Sequence, residues 1–397
     1  MNRLLLCTLL SVSVVNPVAG QESRQFIARK DLKLSDGVIV QAGDLISGVE
    51  DGRKVIISVR PDQPEKVSRK DLAELSEALE VLEQLIRKNP EEAHYYSARA
   101  NVRASQGDLP GAVEDATRAI EVAEQSDSMT YVNRGTFLMA TGDTEGAVRD
   151  FVKATHLDPQ NYAAYTSLAA AHNRRQEYDR AIAVCNSVLE VDAQDPAHYV
   201  QRGVAYRFLE QWDKAVADFS KALELQPNHL AALGSRGFVY YLKGDHALAV
   251  KDFDAVIQLQ PNDAMAFNNR GYNQQLAGNY QQAIADFDRA LELNPKYTMA
   301  LQNKAWLLAT CPDDDVRNGA AALEAAKKAI DQRGTRVAGD LKALAAAYAE
   351  TGDFENAIKH QQAVVDMTDA DSEAKEKELL QQYRDKKAFR FSPATKS

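Results

Sequence analysis

The chain has 397 residues, 45% of them hydrophobic and 26% charged, with a formal net charge of −10. An acidic chain without a Lys/Arg-dense stretch excludes nucleic acid and an anionic membrane surface as natural partners, and three cysteines exclude a disulfide-stapled fold. A chain of this length ordinarily divides into two or three domains, unless it grows by stacking one repeated unit.

The first 20 residues read as a targeting segment. Arg3 gives a positive start, residues 4–15 are mostly apolar, and Val18-Ala19-Gly20 places small residues where a signal peptidase reads them. The apolar run falls short of the ~20 residues that span a bilayer. Cleavage after Gly20, export to the periplasm or the exterior, and no membrane insertion of the mature chain are therefore expected. Loss of Arg3 takes the net charge from −10 to −11.

Residues 21–70 change character. Phe26-Ile27, Val38-Ile39-Val40, Leu45-Ile46 and Val55-Ile56-Ile57-Ser58-Val59 are short β-prone runs, separated by Asp36-Gly37, Ala42-Gly43 and Asp51-Gly52-Arg53. They predict a small β-domain whose one aromatic is Phe26. Residues 71–92 read as a capping half-repeat, with a helix from about Asp71 to Lys88 that carries Ala78 and Leu85 ahead of Pro90.

From residue 93 a repeat takes over. The segments 128–161, 162–195, 196–229, 230–263 and 264–297 are each 34 residues long with no gap between them. A less regular copy precedes them (93–126) and two follow (298–334 and 338 to about 370), making eight. Small residues recur at repeat position 8 (Gly135, Ala169, Gly203, Gly237, Gly271) and at position 20 (Ala147, Ala181, Ala215, Ala249, Ala283), so two segments approach closely there. Apolar spacing at 4, 8 and 11 and again at 20, 24 and 27 is helical. A Gly near position 15 makes the turn, and Pro at position 32 stops the second segment. Each copy is a helical hairpin. Copies three and four carry Gln176 and Glu210 where the turn Gly is usual.

Arg at position 7 (Arg99, Arg134, Arg202, Arg236, Arg270) is accompanied in the same five copies by Asp at position 23 (Asp115, Asp150, Asp218, Asp252, Asp286). In copy three both change together, to Leu168 and Val184. The pattern predicts five Arg–Asp pairs inside repeats, structural in role, with one apolar replacement.

On these residues the chain resembles the tetratricopeptide repeat proteins, from about Asp71 to Ala370. The resemblance implies a mainly α fold, a right-handed solenoid of helical hairpins, here preceded by the small β-domain. Gly43-Asp44-Leu45 and the closing 67–72 segment make that domain similar to bacterial SH3-like barrels, with an unrelated meander as the alternative. Copy seven contains Ala305-Trp306-Leu307-Leu308-Ala309-Thr310-Cys311-Pro312-Asp313, followed by an acidic insertion before its second helix. This segment, the Leu344 to Glu350 run and a charged terminal helix and tail (371–397) are similar to an exported bacterial subgroup that often has an SH3-like N-terminus.

The same resemblance implies that positions 2, 5, 9, 12 and 13 of each first helix line a concave groove. Those positions give Val200, Val204, Arg207 and Phe208 in copy four and Phe238, Tyr241 and Leu242 in copy five. Copy six gives Asn268, Tyr272 and Gln275, and copy seven gives Gln302 and Trp306. The equivalents in copies one to three, such as Ser97, Thr136 and Asn173, are small and polar, so binding is expected in copies four to seven. A Lys/Asn/Arg clamp for a terminal carboxylate is missing.

Signs of chemistry are sparse. There is no phosphate loop, HExxH or paired CxxC, and the seven His residues are scattered. Asp313, Asp314 and Asp315 read as a helix-capping loop, because Arg317 falls where an EF-hand needs a ligand. No enzyme, cofactor or metal is expected. The sequence supports an envelope scaffold that binds a protein or peptide in its groove. The alternative is an accessory subunit that holds a cell-wall polymer or an envelope enzyme through the β-domain and solenoid.

Overall fold

The computed structural model describes residues 24–34, 39–51, 53–57 and 65–392. The expected leader, the Asp36-Gly37 turn and Ser58-Val59 lie outside them. The chain divides into two compact units at Ala193 and Gln194, each taken here by itself.

Among the described residues the first unit opens with seven strands: β1 (Arg24–Ala28), β2 (Leu32–Lys33), β3 (Ile39–Val40), β4 (Leu45–Asp51), β5 (Lys54–Ile57), β6 (Glu65–Ser68) and β7 (Leu72–Glu74). Five of them form an antiparallel sheet in the order β6-β5-β4-β1-β7, and β2 pairs with β3. Strand β7 corrects the expected half-repeat. Residues 72–74 pair with β1, setting Ala73 opposite Ile27, and the helix α1 begins only at Ala78 and ends at Lys88. Alternation explains the difference: Leu72 closes the core of the sheet around Phe26, Ile46 and Val55, whereas Ala73 faces the helices. Ile27, Ala73, Ala78, Val81 and Leu82 share one core with Ala98 and Val102 of the first repeat, so the β-domain and α1 cap the array.

Three hairpins complete this unit: α2 (Ala93–Ser105) with α3 (Leu109–Val122), α4 (Ser128–Thr141) with α5 (Thr144–Leu157), and α6 (Tyr162–Arg174) with α7 (Tyr178–Leu189). The second unit holds five more: α8 (Pro196–Phe208) with α9 (Trp212–Leu225), α10 (Leu230–Leu242) with α11 (His246–Leu259), and α12 (Ala264–Leu276) with α13 (Tyr280–Leu293). After them come α14 (Thr298–Thr310) with α15 (Gly319–Arg333), α16 (Ala338–Glu350) with α17 (Phe354–Met367), and a last helix α18 (Ala370–Arg384). Each first helix begins at the first residue of its sequence repeat. No helix among the described residues is long and apolar enough to cross a membrane.

The repeat chemistry is direct. A methyl group added at Gly203 would lie 2.8 Å from the Phe219 ring, so position 8 is small because position 24 is aromatic. The interhelix turn holds a left-handed residue in copies three and four as in copies one, two, five, six and eight, with Gln176 at φ 61° and Glu210 at φ 56° in place of Gly. All five Arg–Asp pairs form, each through Nε and Nη2 to the two carboxylate oxygens. In copy three, buried Leu168 packs in a core that Val184 joins. The remaining guanidinium nitrogen reaches position 25 of the preceding repeat: Arg134 to Thr117, Arg236 to Ser220 and Arg270 to Asp254. Copy seven has Lys304 at position 7, which pairs with Asp288 at the same relative site. Cys185 and Cys311 are buried thiols.

Candidate functional site

The first helices of the second unit carry the candidate surface. Position 8 of each first helix turns toward its own second helix, and position 5 also turns inward in copy four, where Val200 is buried in the repeat core. Positions 9, 12 and 13 leave more exposed rings. Phe208 and Phe238 are 52% and 40% exposed. The Arg207 guanidinium lies over both, 4.4 Å from the Phe208 ring centre and 5.4 Å from that of Phe238. Phe238 approaches Tyr241 at 5.8 Å, and Tyr241 meets Tyr272 edge-on at 5.6 Å.

Beyond these rings a groove of about 270 Å³ is lined by Phe238, Tyr241, Phe253, Asn268, Asn269, Tyr272, Asn273, Met299, Gln302 and Asn303. None of them is charged at neutral pH. Burial, with Tyr241 beside it, pushes the Tyr272 phenol up to about 12, so it stays protonated. The amides are partly fixed by one another: Asn303 donates to Asn268 at 3.0 Å, Asn268 donates to Asn269 at 3.3 Å, and His246 contacts Asn273 at 3.1 Å. Such a surface offers amide donors and acceptors between ring faces, the complement of an uncharged polar chain.

The structure thus brings Phe238, Tyr241, Asn268, Tyr272 and Gln302 to one groove, with Arg207 and Phe208 continuing its aromatic edge. It separates the rest. Val200 is core, Val204 is half-buried against that core, and Gln275 is 1% exposed. Trp306 does not extend the ring stripe. It packs instead on Phe389 of the C-terminal segment, centre to centre 5.6 Å. Tyr272 is also part core, packing on Ala283, Phe287 and Leu307. The sequence reading missed Asn269, Asn273 and Asn303, at positions 6 and 10. The doubled amides Asn268-Asn269 and Gln302-Asn303, recurring at positions 5 and 6 of neighbouring copies, were a signal for them.

Comparison with known proteins agrees with the repeat architecture. Tetratricopeptide repeat models match residues 68–128, 138–201, 196–229, 230–263 and 264–297, together more than half of the chain. The chain belongs to the tetratricopeptide repeat proteins. It is 38% identical to tetratricopeptide repeat protein 36 of Homo sapiens over 90 residues, which is 22% of this chain and 48% of that protein. Tetratricopeptide repeat protein 36 of Mus musculus is 30% identical over 139 residues, 34% of this chain and 75% of its own. The chain therefore spans about half the length of the human relative it matches. Among solved structures it is similar to a tetratricopeptide repeat protein from Parabacteroides merdae, at 19% identity and a TM-score of 0.47, covering 65% of this chain and 98% of that one. It is also similar to the APC/C hetero-tetramer Cut9–Hcn1, at 12% identity and a TM-score of 0.47, covering 78% of this chain and 74% of that one. Tetratricopeptide repeats generally mediate protein–protein interaction.

Proposed function

We propose that this chain is a non-enzymatic scaffold of the cell envelope that holds an extended, uncharged stretch of a protein partner in the groove of copies five to seven. The observation that carries the reading is the groove's composition: five amides between aromatic faces, with no acid or base among the lining residues. A peptide main chain presents alternating N–H and C=O groups that amides can satisfy, while the rings take apolar side chains. The test pairs affinity capture from the native host with melting. Phe238→Ala, at an exposed ring, is expected to weaken capture ~30-fold, the equivalent of ~2 kcal/mol at an interface anchor, and to leave the melting temperature nearly unchanged. Undiminished capture by Phe238→Ala and by Gln302→Ala would remove the groove from the function.

A second reading, an accessory subunit that holds a cell-wall polymer, is favoured by the same neutral amides and rings, which also suit sugar hydroxyls. A polysaccharide pull-down on the same variants separates the two. We read the β-domain as SH3-like and as a cap for the array. Phe26, the only aromatic of residues 21–70, is fully buried, so the domain offers no aromatic surface to a ligand. Export rests on the first 20 residues. N-terminal sequencing of the protein from its host is expected to begin at Gln21, and a start at Met1 would refute export by cleavage.

A further inference from the structure

Past Arg384 the chain turns back onto the array. Lys386 takes a left-handed φ of 57°. The N–H groups of Lys386 and Lys387 donate to the carbonyls of Tyr383 and Gln382 at 3.0 and 2.9 Å, which reverses the chain at the end of α18. The returning residues meet the last turns of α14 and α16. Phe389 packs its ring on Trp306 at 5.6 Å, and Arg390 pairs with Glu350 at 2.7 Å. The Phe391 N–H donates at 2.8 Å to the carbonyl of Thr310, one of those that a helix end leaves without an intrahelical donor.

The receiving surface is prepared by other parts of the repeat. Arg317, in the insertion of copy seven, donates to the other Glu350 oxygen at 2.9 Å and to the Cys311 carbonyl at 2.7 Å, which fixes the carboxylate in place. Lys342 lies over the Trp306 ring at 5.4 Å. An oriented carboxylate, an indole and a helix-end carbonyl thus stand side by side.

The segment that fills them makes few polar bonds to this surface: one main-chain hydrogen bond and one ion pair, beside the packing of Ala388 and Phe389 on the core that Ala349 and Tyr383 share. Arg390 is 39% exposed, and residues 385–387, which join the segment to α18, are exposed. The tether gives such a contact a high effective concentration, so a modest intrinsic affinity is enough to keep it closed.

We propose that the first-helix face of copies seven and eight is a binding site for an extended aromatic–arginine segment whose next main-chain N–H caps Thr310, and that the chain's own Phe389-Arg390-Phe391 is its displaceable resident. A partner protein with a segment of that chemistry competes for Trp306 and Glu350. The proposal rests on the reading of the first-helix face as a binding surface, but at a different place from the neutral groove.

The test uses the full chain with Trp212→Phe, which leaves Trp306 as the sole tryptophan of two. Adding Phe389→Ala and Arg390→Ala is expected to raise acrylamide quenching of Trp306 at least twofold. A synthetic peptide of residues 385–392 then restores the shielding saturably, and Glu350→Gln weakens the peptide at least tenfold. The chain with its own tail intact requires at least tenfold more peptide. Failure of the peptide to bind the opened chain, or equal binding with the tail intact, overturns the proposal and leaves the segment a fixed cap. Hydrogen exchange on the unaltered chain is an independent measure: excess peptide should speed exchange of the Phe391 amide, and no change counts against displacement. Phe238→Ala should leave peptide binding as it was, so failure here and failure of the neutral groove are separate results.

Discussion

At the scale of single residues, the repeat is held by pairs whose members cannot be changed alone. Asp252 is buried and receives two hydrogen bonds from Arg236. Arg236→Ala strands that carboxylate and is expected to cost ~3 kcal/mol or more. Arg236→Leu with Asp252→Val, the pair that copy three already uses, should recover most of the loss; thermal melting of the three proteins checks it. Glycines separate by their surroundings in the same way. Gly203→Ala would press a methyl group against the Phe219 ring and should destabilise by about 1 kcal/mol or more, despite the better helix propensity of Ala. Gly234 is also helical but has nothing within 4 Å of an added methyl, so Gly234→Ala should stabilise by roughly 0.5–1 kcal/mol. Opposite signs in chemical denaturation are the expected result. Legibility follows the same division: residues that answer a partner at fixed spacing, such as Arg236 and Asp252, could be paired from the sequence alone. The bond from Arg236 to Ser220 could not, because Thr117, Ser220 and Asp254 share a position without sharing a chemistry.

At the scale of elements, the seam between β-domain and helices is where the sequence was hardest to divide. Leu72 and Ala73 continue the apolar spacing of α1 but serve a strand, and only the pairing of Ala73 with Ile27 reveals it. The seam also carries a proton-sensitive contact. His94, at the start of α2, lies 3.1 Å from Asp44 beside β4. The hydrogen bond to Asp44 holds the His94 pKa above its ordinary value against the opposing effect of burial, with Glu92 and Asp31 adding attraction. A folded-state pKa above the unfolded one means that the contact stabilises fully below about pH 6.5 and is lost as pH rises through the raised value. Melting of the N-terminal part should therefore be higher at pH 5.5 than at pH 8, and Asp44→Asn should flatten the difference. An unchanged pH profile in Asp44→Asn would show that His94 does not govern it.

For the molecule as a whole, the hairpin array was readable because each copy states the same spacing again, whereas the features that occur once were not. The neutral groove depends on Asn269, Asn273 and Asn303, which fall outside the positions that the family resemblance marks. The cover over Trp306 comes from Phe389, some eighty residues later and outside any period, so an indole read as an open anchor proved to be occupied. The bridges from one repeat to the next have a further consequence, for inheritance. Arg236 already bonds Ser220 and Arg270 bonds Asp254 from identical places in successive copies. Excision of 230–263 by unequal recombination would set Arg270 opposite Ser220, a pairing the protein already contains. Loss or gain of a whole unit at this junction would thus leave the chemistry of the bridge unchanged, whereas the β-domain and the returning tail occur once and have no second copy to take their place.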